Sequence, residues 1–395
     1  MTTLQDPAQK RIVSIDLLRG IIMIIMALDH TRIYFHADAN NYDALDLEQT
    51  NVIVFLTRWI THFCAPVFVF LSGTSAYLVG LRKGKKELSK FLITRGLWLM
   101  LLELTVVNFG WFFNIEFPVF YLIVIWALGL SMVVLAAIIH LPFKVVLAVG
   151  LIIVLGHNLL DNIHVEGTGV NAFLWAELHE QKRFDIAGHS VRTGYPVLAW
   201  IGIMVLGYCL GALYKTDFPG TKRRKILLTL GISSIVLFLL LRTINGYGDP
   251  HPWSTQSQMS HSILSFINVT KYPPSLLYSL IMLGPALIFL AMAEKPAGLA
   301  KPIIHIGRVP MFFYLMHLYL IHTTAMIAAE LSGFKWSDMI LSQWSWLEPQ
   351  LKGYGFSLGF TYLAWAVFIL LLYFPCKWYD KYKTSHKEKW WLSYL

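Results

Sequence analysis

SIDLLRGIIMIIMALDHTRIYFHA, residues 14–37, joins an unbroken apolar run to a cluster of charged and imidazole side chains. The run at 21–28 reads as membrane-spanning helix, and Asp29, His30, Arg32 and His36 follow it directly. No small-residue cleavage site comes after the run, so a retained first helix is expected here and not a removed signal peptide.

The remainder of the chain agrees with that reading. Of its 395 residues 56% are hydrophobic and 14% charged, whereas soluble domains run near 45–50% apolar and roughly 25% charged. The composition is that of a multi-pass membrane protein. The net charge of +9 then reads as topological anchoring and contact with the lipid surface. No compact basic patch interleaved with aromatics occurs, so nucleic acid is not an expected partner. Cys64, Cys209 and Cys376 lie far apart in or beside apolar runs. They make neither a disulfide framework nor a CxxC motif, and no metal is expected.

Ten apolar runs are long enough to cross a hydrocarbon core of ~30 Å. They lie near 15–35, 59–81, 91–113, 118–140, 143–162, 196–215, 226–244, 276–294, 309–331 and 356–375. The expected fold class is therefore all-α, a polytopic helical membrane protein forming one integral-membrane domain over 1–395. Placing both termini inside puts 23 of the 32 basic residues on the inner side, from Lys10, Arg11 and Arg19 through the 82–86 cluster to Lys295, Arg308 and Lys389. That bias predicts an N-in, C-in topology. Three outer loops are long, roughly 160–195, 245–275 and 332–355, and long loops on a membrane scaffold are where function gathers.

Ionisable groups within a span are costly and point to function. Arg19 and His30 are eleven helical steps apart, only ~20° past three full turns, so they share a face about 16 Å apart. Asp29 and His36 form a second stripe, two turns apart, with Arg32 within one turn of each. An imidazole acting as a base needs a partner on its second nitrogen, and Asp29 is a candidate for either histidine. In the second span His62 sits about one turn inside the outer boundary, near the level of His30. Ser72, Gly73, Thr74 and Ser75 make a small polar surface suited to close helix packing or to a narrow ligand. Glu103 is a buried carboxylate needing a partner. His317, near mid-membrane, is a lone histidine of the kind that more often hydrogen-bonds in a core than reacts.

The motif SIDLLRGIIMIIMALDH (14–30) resembles the first helix of two related groups of membrane acyltransferases. Its Arg-to-His spacing is similar to that of the acyltransferase-3 family. The closer resemblance is to the heparan-alpha-glucosaminide N-acetyltransferase catalytic-domain family, through SIDLLRG (14–20), YFHA (34–37) and PVFVFLSGTS (66–75). YGDPHPW (247–253) and GRVPMFFYLMHLYLIH (307–322) are similar to segments of its bacterial members.

The resemblance implies an enzyme that takes acetyl from acetyl-CoA at the cytoplasmic side and passes it to an amine or hydroxyl beyond the membrane. Its catalytic histidine is His36 by the YFHA match and His30 by the acyltransferase-3 spacing, with Asp29 beside them. CoA phosphates are expected at Arg19, Arg308 and the 82–86 cluster, and the narrow part of the donor against Ser72, Gly73 and Ser75. The extended pantetheine arm is commensurate with the distance of roughly 16 Å from Arg19 to His30. Acceptor contacts are expected at His62, Asp249, His251 and Trp253. The expected partners are the lipid bilayer, acetyl-CoA, a carbohydrate or other small acceptor, and a second copy of the chain as a homodimer. The expected place is a bacterial cytoplasmic membrane. Heparan sulfate does not carry over as substrate, because the lysosomal enzyme's lumenal extension has no counterpart here. Two rivals remain, a proton-coupled transporter using Asp29, Glu103 and His317, and a haem protein pairing His30 with His62.

Overall fold

The computed structural model describes residues 12–294 and 300–393; Lys10, Arg11 and Lys295 of the inner basic set lie outside the described residues. Helix α1 (Val13–Phe35) has 23 residues, about 35 Å at 1.5 Å per residue. The short α2 (Val52–Ile60) leads into α3 (Cys64–Leu102), which Gly84 divides into two arms at a φ of +73°. A left-handed backbone at that point suits a residue without Cβ. The second arm continues through a π-helical turn, Glu103–Val107, into α4 (Asn108–Phe112). Next come α5 (Val124–Ile138), α6 (Phe143–Gly156), α7 (Val170–His179), α8 (Val197–Leu210) and α9 (Gly220–Ile244). The chain ends with α10 (Met259–Ile267), α11 (Leu276–Met292), α12 (Lys301–Arg308), α13 (Pro310–Leu331) and α14 (Leu358–Ser385).

Each of the ten apolar runs in the sequence is largely helical. Among the described residues, six helical stretches are long and apolar enough to cross a membrane. The difference has three sources. The stretch Val52–Phe112 contains two of the runs in one kinked rod. Helices α5 and α11 are apolar but have only 15 and 17 residues. Helix α1 carries Asp16, Arg19, Asp29 and Arg32 within its length.

Those charges are tolerated because α1 is wrapped by protein, packing against α3, α12, α13 and α14. Helices α9 and α14 are inverted relative to soluble helices. Leu230, Ile232, Leu239, Leu240, Leu363, Leu370 and Phe374 all face outward, an apolar girdle suited to lipid. The crossing of α1 with α12 is set by glycine. A Cβ on Gly307 would sit 1.8 Å from the Asp16 carbonyl oxygen, and one on Gly20 2.1 Å from that of Ile303. Small residues let two backbones touch where side chains would hold them apart.

The all-α expectation is corrected by a three-stranded sheet outside the apolar helices. Strand β1 (Val119–Leu122) pairs in parallel with β3 (His189–Thr193), and β2 (Arg183–Ile186) pairs antiparallel with β3. Ala187 and Gly188 close the β2–β3 hairpin with φ of +51° and +85°. Two left-handed residues suit the twist of a tight hairpin. Alternation in RFDIAGHSVRT was the available signal, hidden in a loop whose turn pair, Ala-Gly, is a weak marker.

Glu103 finds its partner at the start of α5, where its Oε2 accepts from the Ile125 and Trp126 backbone N–H groups at 2.9 and 3.0 Å. A carboxylate there satisfies orphan amides and meets the positive end of the helix. Next to it, the Trp126 indole donates to Glu177 of α7 at 2.5 Å. Burial pushes the Glu177 carboxyl up to about 7 from an ordinary 4.5, against the opposing pull of that indole. Across this window the folded chain keeps a proton that the unfolded chain has released, so stability falls as pH rises. We expect Glu177→Gln to flatten that fall. At pH 8 the variant should be more stable than the parent by roughly 2–3 kcal/mol. Parallel unfolding profiles across the window would contradict the assignment.

Candidate active site

A cavity of about 770 Å³ opens among α1, the 37–44 segment, the sheet, and the loops carrying Lys271 and Trp344. His30 of α1 lines it. Its Nδ1 lies 2.6 Å from His317 Nε2 on α13, and the two rings stack with centroids 4.8 Å apart. His317 Nδ1 in turn sits 2.9 Å from the Phe313 carbonyl oxygen. A carbonyl only accepts, so His317 Nδ1 carries the hydrogen and its Nε2 a lone pair. His30 Nδ1 must then donate to it. This leaves the lone pair of neutral His30 on Nε2, in a ring held edge-on to Trp111 at 4.6 Å. Such a nitrogen can accept a proton from a group in the cavity.

Asp29, one residue earlier, hydrogen-bonds two arginines and, among the described residues, no histidine. Arg58 Nη1 donates to its Oδ2 at 2.7 Å, and Arg32 Nη2 and Nε reach Oδ1 at 3.3 and 3.4 Å. Arg58 also donates to Thr61 Oγ1 at 3.0 Å. All three charged groups line the cavity. The buried Lys271 adds a further cation, its Nζ 5.1 Å from the ring centre of Tyr272 and 5.7 Å from that of Tyr195.

Sheet register decides the mouth. Arg183 pairs with Arg192 across β2 and β3, and Arg192 with Tyr121 across β3 and β1. Directly paired residues share a face, and all three line the cavity. The Arg192 guanidinium lies 5.8 Å from the Tyr121 ring centre. Trp344 and Trp346 stack at 5.2 Å beside them, with Tyr121 4.8 Å from Trp344. The mouth is thus an aromatic shelf flanked by cations.

The cavity reaches inward as far as Met23, Phe68 and Met311. Beyond that floor Arg19 donates to Ser75 Oγ at 3.0 Å and to the Gly307 carbonyl at 3.3 Å, and pairs with Asp16 at 3.4 Å. Arg308 bridges Asp16 and Asp380 at 3.5 and 3.4 Å, and His305 meets Asp380 at 2.6 Å. The structure therefore brings Arg19, Ser75 and Arg308 into one ionic knot toward the N-terminal end of α1, beyond the cavity floor from His30. Ser72 and Gly73 stand apart from it. Ser72 bonds back to the Phe68 carbonyl, and a Cβ on Gly73 would meet the Met204 carbonyl oxygen at 2.0 Å, so Gly73 serves the α3–α8 crossing.

The other sequence-selected residues lie outside the cavity lining. His36 closes α1, and its Nε2 is 3.8 Å from Asp38. Burial lowers its pKa, with Asp38 pulling the other way. His62 is buried edge-on to Tyr278, and its ring nitrogens meet no hydrogen-bonding side chain or carbonyl among the described residues. Asp249 accepts from His251 N, Thr270 N, Thr270 Oγ1 and Ser275 Oγ. The Trp253 indole donates to the Arg242 carbonyl. These residues shape the loop that delivers Lys271 and Tyr272 to the cavity. Sequence reasoning missed His317 as the partner of His30, and also Arg58, Lys271, Arg183, Arg192 and Trp344. Arg58 and Lys271 had a signal, as basic residues on the side where few are found.

Fold and site together define a helical membrane protein with a polar cavity built on a buried histidine pair. The chain matches the sequence profile of the heparan-alpha-glucosaminide N-acetyltransferase catalytic family over residues 11–242, more than half its length, and belongs to that family. It is thus a membrane acetyltransferase by family. No curated protein matches the chain.

Removing Asp29 would leave the Arg32 and Arg58 guanidiniums, 9% and 14% exposed, without their shared counter-ion. Asp29→Ala should cost about 3–5 kcal/mol in an unfolding titration, and Asp29→Ala with Arg58→Met should recover much of it. An unchanged titration for the single variant would show that the pair carries no net stability.

Proposed function

We propose that the protein transfers an acetyl group from cytoplasmic acetyl-CoA to an amine or hydroxyl of an acceptor bound in the outer cavity. The observation that supports this most is the proton chain His30–His317–Phe313 carbonyl, which leaves a basic nitrogen at the cavity wall. His30 Nε2 takes the proton from the acceptor's nucleophile as that atom attacks the thioester carbonyl. The C–S bond breaks, and CoA leaves as a thiolate or takes the proton back. His317 is a positioning residue, holding the tautomer. General-base assistance of this kind is worth typically ~10²–10⁴-fold.

The acceptor we infer is anionic and carries a sugar or similar ring. Arg32, Arg58, Lys182, Arg183, Arg192 and Lys271 outnumber Asp29 and Asp43 around the cavity. Arg183 and Arg192 stand directly opposite each other, Arg183 offset only by the exposed Asp185 at 3.7 Å, and an anion across the pair would relieve their repulsion. The Trp344 and Trp346 faces suit a sugar's apolar side. The donor's phosphates would meet Arg19 and Arg308 on the cytoplasmic side, an arrangement that follows from the N-in topology and a bacterial cytoplasmic membrane. In the described conformation these arginines bind Asp16 and Asp380, so phosphates would replace carboxylates as their partners.

Membranes containing the protein, given labelled acetyl-CoA, should yield labelled product without solute uptake; uptake alone would support the transporter instead. In the same assay His30→Ala should lower kcat by about 10²–10⁴-fold with little change in KM. His317→Ala should lower kcat less and shift the pH profile, and His36→Ala should stay within a few-fold of the parent. Loss of transfer in His36→Ala with full activity in His30→Ala would move the base to His36.

A further inference from the structure

A second cluster, outside the cavity lining, lies where the outer loop leaves the membrane helices. His157 and Asp161 are four residues apart, on the single 3-10 turn His157–Leu160 that ends α6 and on its cap. Residues four apart on a 3-10 turn do not share a face by periodicity; it is the fold that brings their donor atoms together. His179, the last residue of α7, closes over them. One donor atom from each residue lies within 4.8 Å of the other two. His179 Nε2 is 3.0 Å from Asp161 Oδ1, and the two imidazoles meet edge to face with centroids 5.6 Å apart.

His157 is 3% exposed and His179 4%. Neither ring nitrogen of His157, nor Nδ1 of His179, meets a hydrogen-bonding partner among the described residues. Buried imidazoles normally have one, and here they converge on a carboxylate that is itself held in place. Asn158 Nδ2 donates to Asp161 Oδ2 at 2.8 Å, while Asn158 Oδ1 accepts from Leu276 N at 2.9 Å. A fixed carboxylate and two neutral nitrogens are the donor set of a borderline-soft divalent ion, whereas calcium and magnesium take oxygen ligands. The separation of 3.0 Å between His179 and Asp161 suits two metal bonds of roughly 2.0–2.1 Å meeting near ~90°. A slight opening would bring them to tetrahedral.

We propose that His157, Asp161 and His179 bind a divalent transition-metal ion of the zinc class. The ion would fasten the end of α7 to the end of α6. From His179 the chain runs straight into Gln181, Lys182 and Arg183, which line the cavity mouth, so the clamp would hold the rim without touching the acyl group. This inference is independent of the acetyl-transfer mechanism. No metal is expected from the cysteine pattern, and His157, Asp161 and His179 meet only through the fold.

The test uses the full chain in detergent, stripped with a chelator and titrated with zinc against a chromophoric competitor. One tight equivalent per chain is expected. Cobalt in its place should give the intense visible absorption of a four-coordinate nitrogen–oxygen site. Zinc should raise the unfolding temperature where calcium and magnesium do not. The variant carrying His157→Ala and His179→Ala should lose the tight equivalent, with its stripped unfolding temperature close to that of the stripped parent. Asp161→Asn, which keeps the shape of the side chain, should weaken zinc at least about tenfold and serves if the double variant fails to fold. No tight zinc in the parent, or undiminished zinc in these variants, would overturn the site, as would preference for calcium.

Discussion

A hydrogen bond between two buried imidazoles, His30 Nδ1 to His317 Nε2 at 2.6 Å, ties α1 to α13 at the wall of the cavity. It requires α1 and α13 to stand at a fixed register and depth. That register is secured lower down, where Gly20 and Gly307 let α1 and α12 touch backbone to backbone and Arg308 bridges Asp16 and Asp380. It is secured higher up by the Tyr34 hydroxyl, which donates to the Trp111 carbonyl at 2.6 Å. A tautomer set by one backbone carbonyl thus depends on the packing of five helices, α1, α4, α12, α13 and α14.

Charge is arranged along the same axis. Beside His30 one carboxylate, Asp29, holds two guanidiniums in place, so the cavity wall is cationic and ordered at once. At the inner end carboxylates and guanidiniums neutralise one another in a knot of Asp16, Arg19, Arg308 and Asp380. Neutralised groups of this kind tolerate burial, yet an anion of higher charge can compete for the arginines. Under the proposed function, that contrast would let the cationic cavity bind directly and the neutralised knot bind only by exchange.

Much of this was legible in the sequence, for physical reasons. Apolar length gives spanning helices wherever lipid surrounds them, which is why the ten runs are helical although α9 and α14 face outward. The 3.6-residue repeat correctly put polar groups on α1, a helix whose neighbours could then be asked for. What a repeat within one helix cannot give is the partner on another. His317 therefore read as a solitary core histidine. Arg32, one turn on, was legible as a group that could hold Asp29, as it does, but the histidine expected beside Asp29 is replaced by Arg58 from another helix. Glu103 read as a buried carboxylate lacking a mate because helix-end amides carry no mark in the sequence. The hairpin at 183–193 and its paired arginines escaped notice because Ala-Gly is a weak turn signal. YGDPHPW read as binding surface, and its Asp249 and Trp253 instead hold together the loop that carries Lys271.

The most direct measurement is a structure of the full chain with a non-hydrolysable acetyl-CoA analogue, read for the position of the acyl carbonyl. The account predicts that carbonyl within ~3–4 Å of His30 Nε2 or of an acceptor atom in contact with it, with the phosphates against Arg19 and Arg308. An acyl group lodged beside His36, or CoA phosphates seated at Arg183 and Arg192, would contradict it.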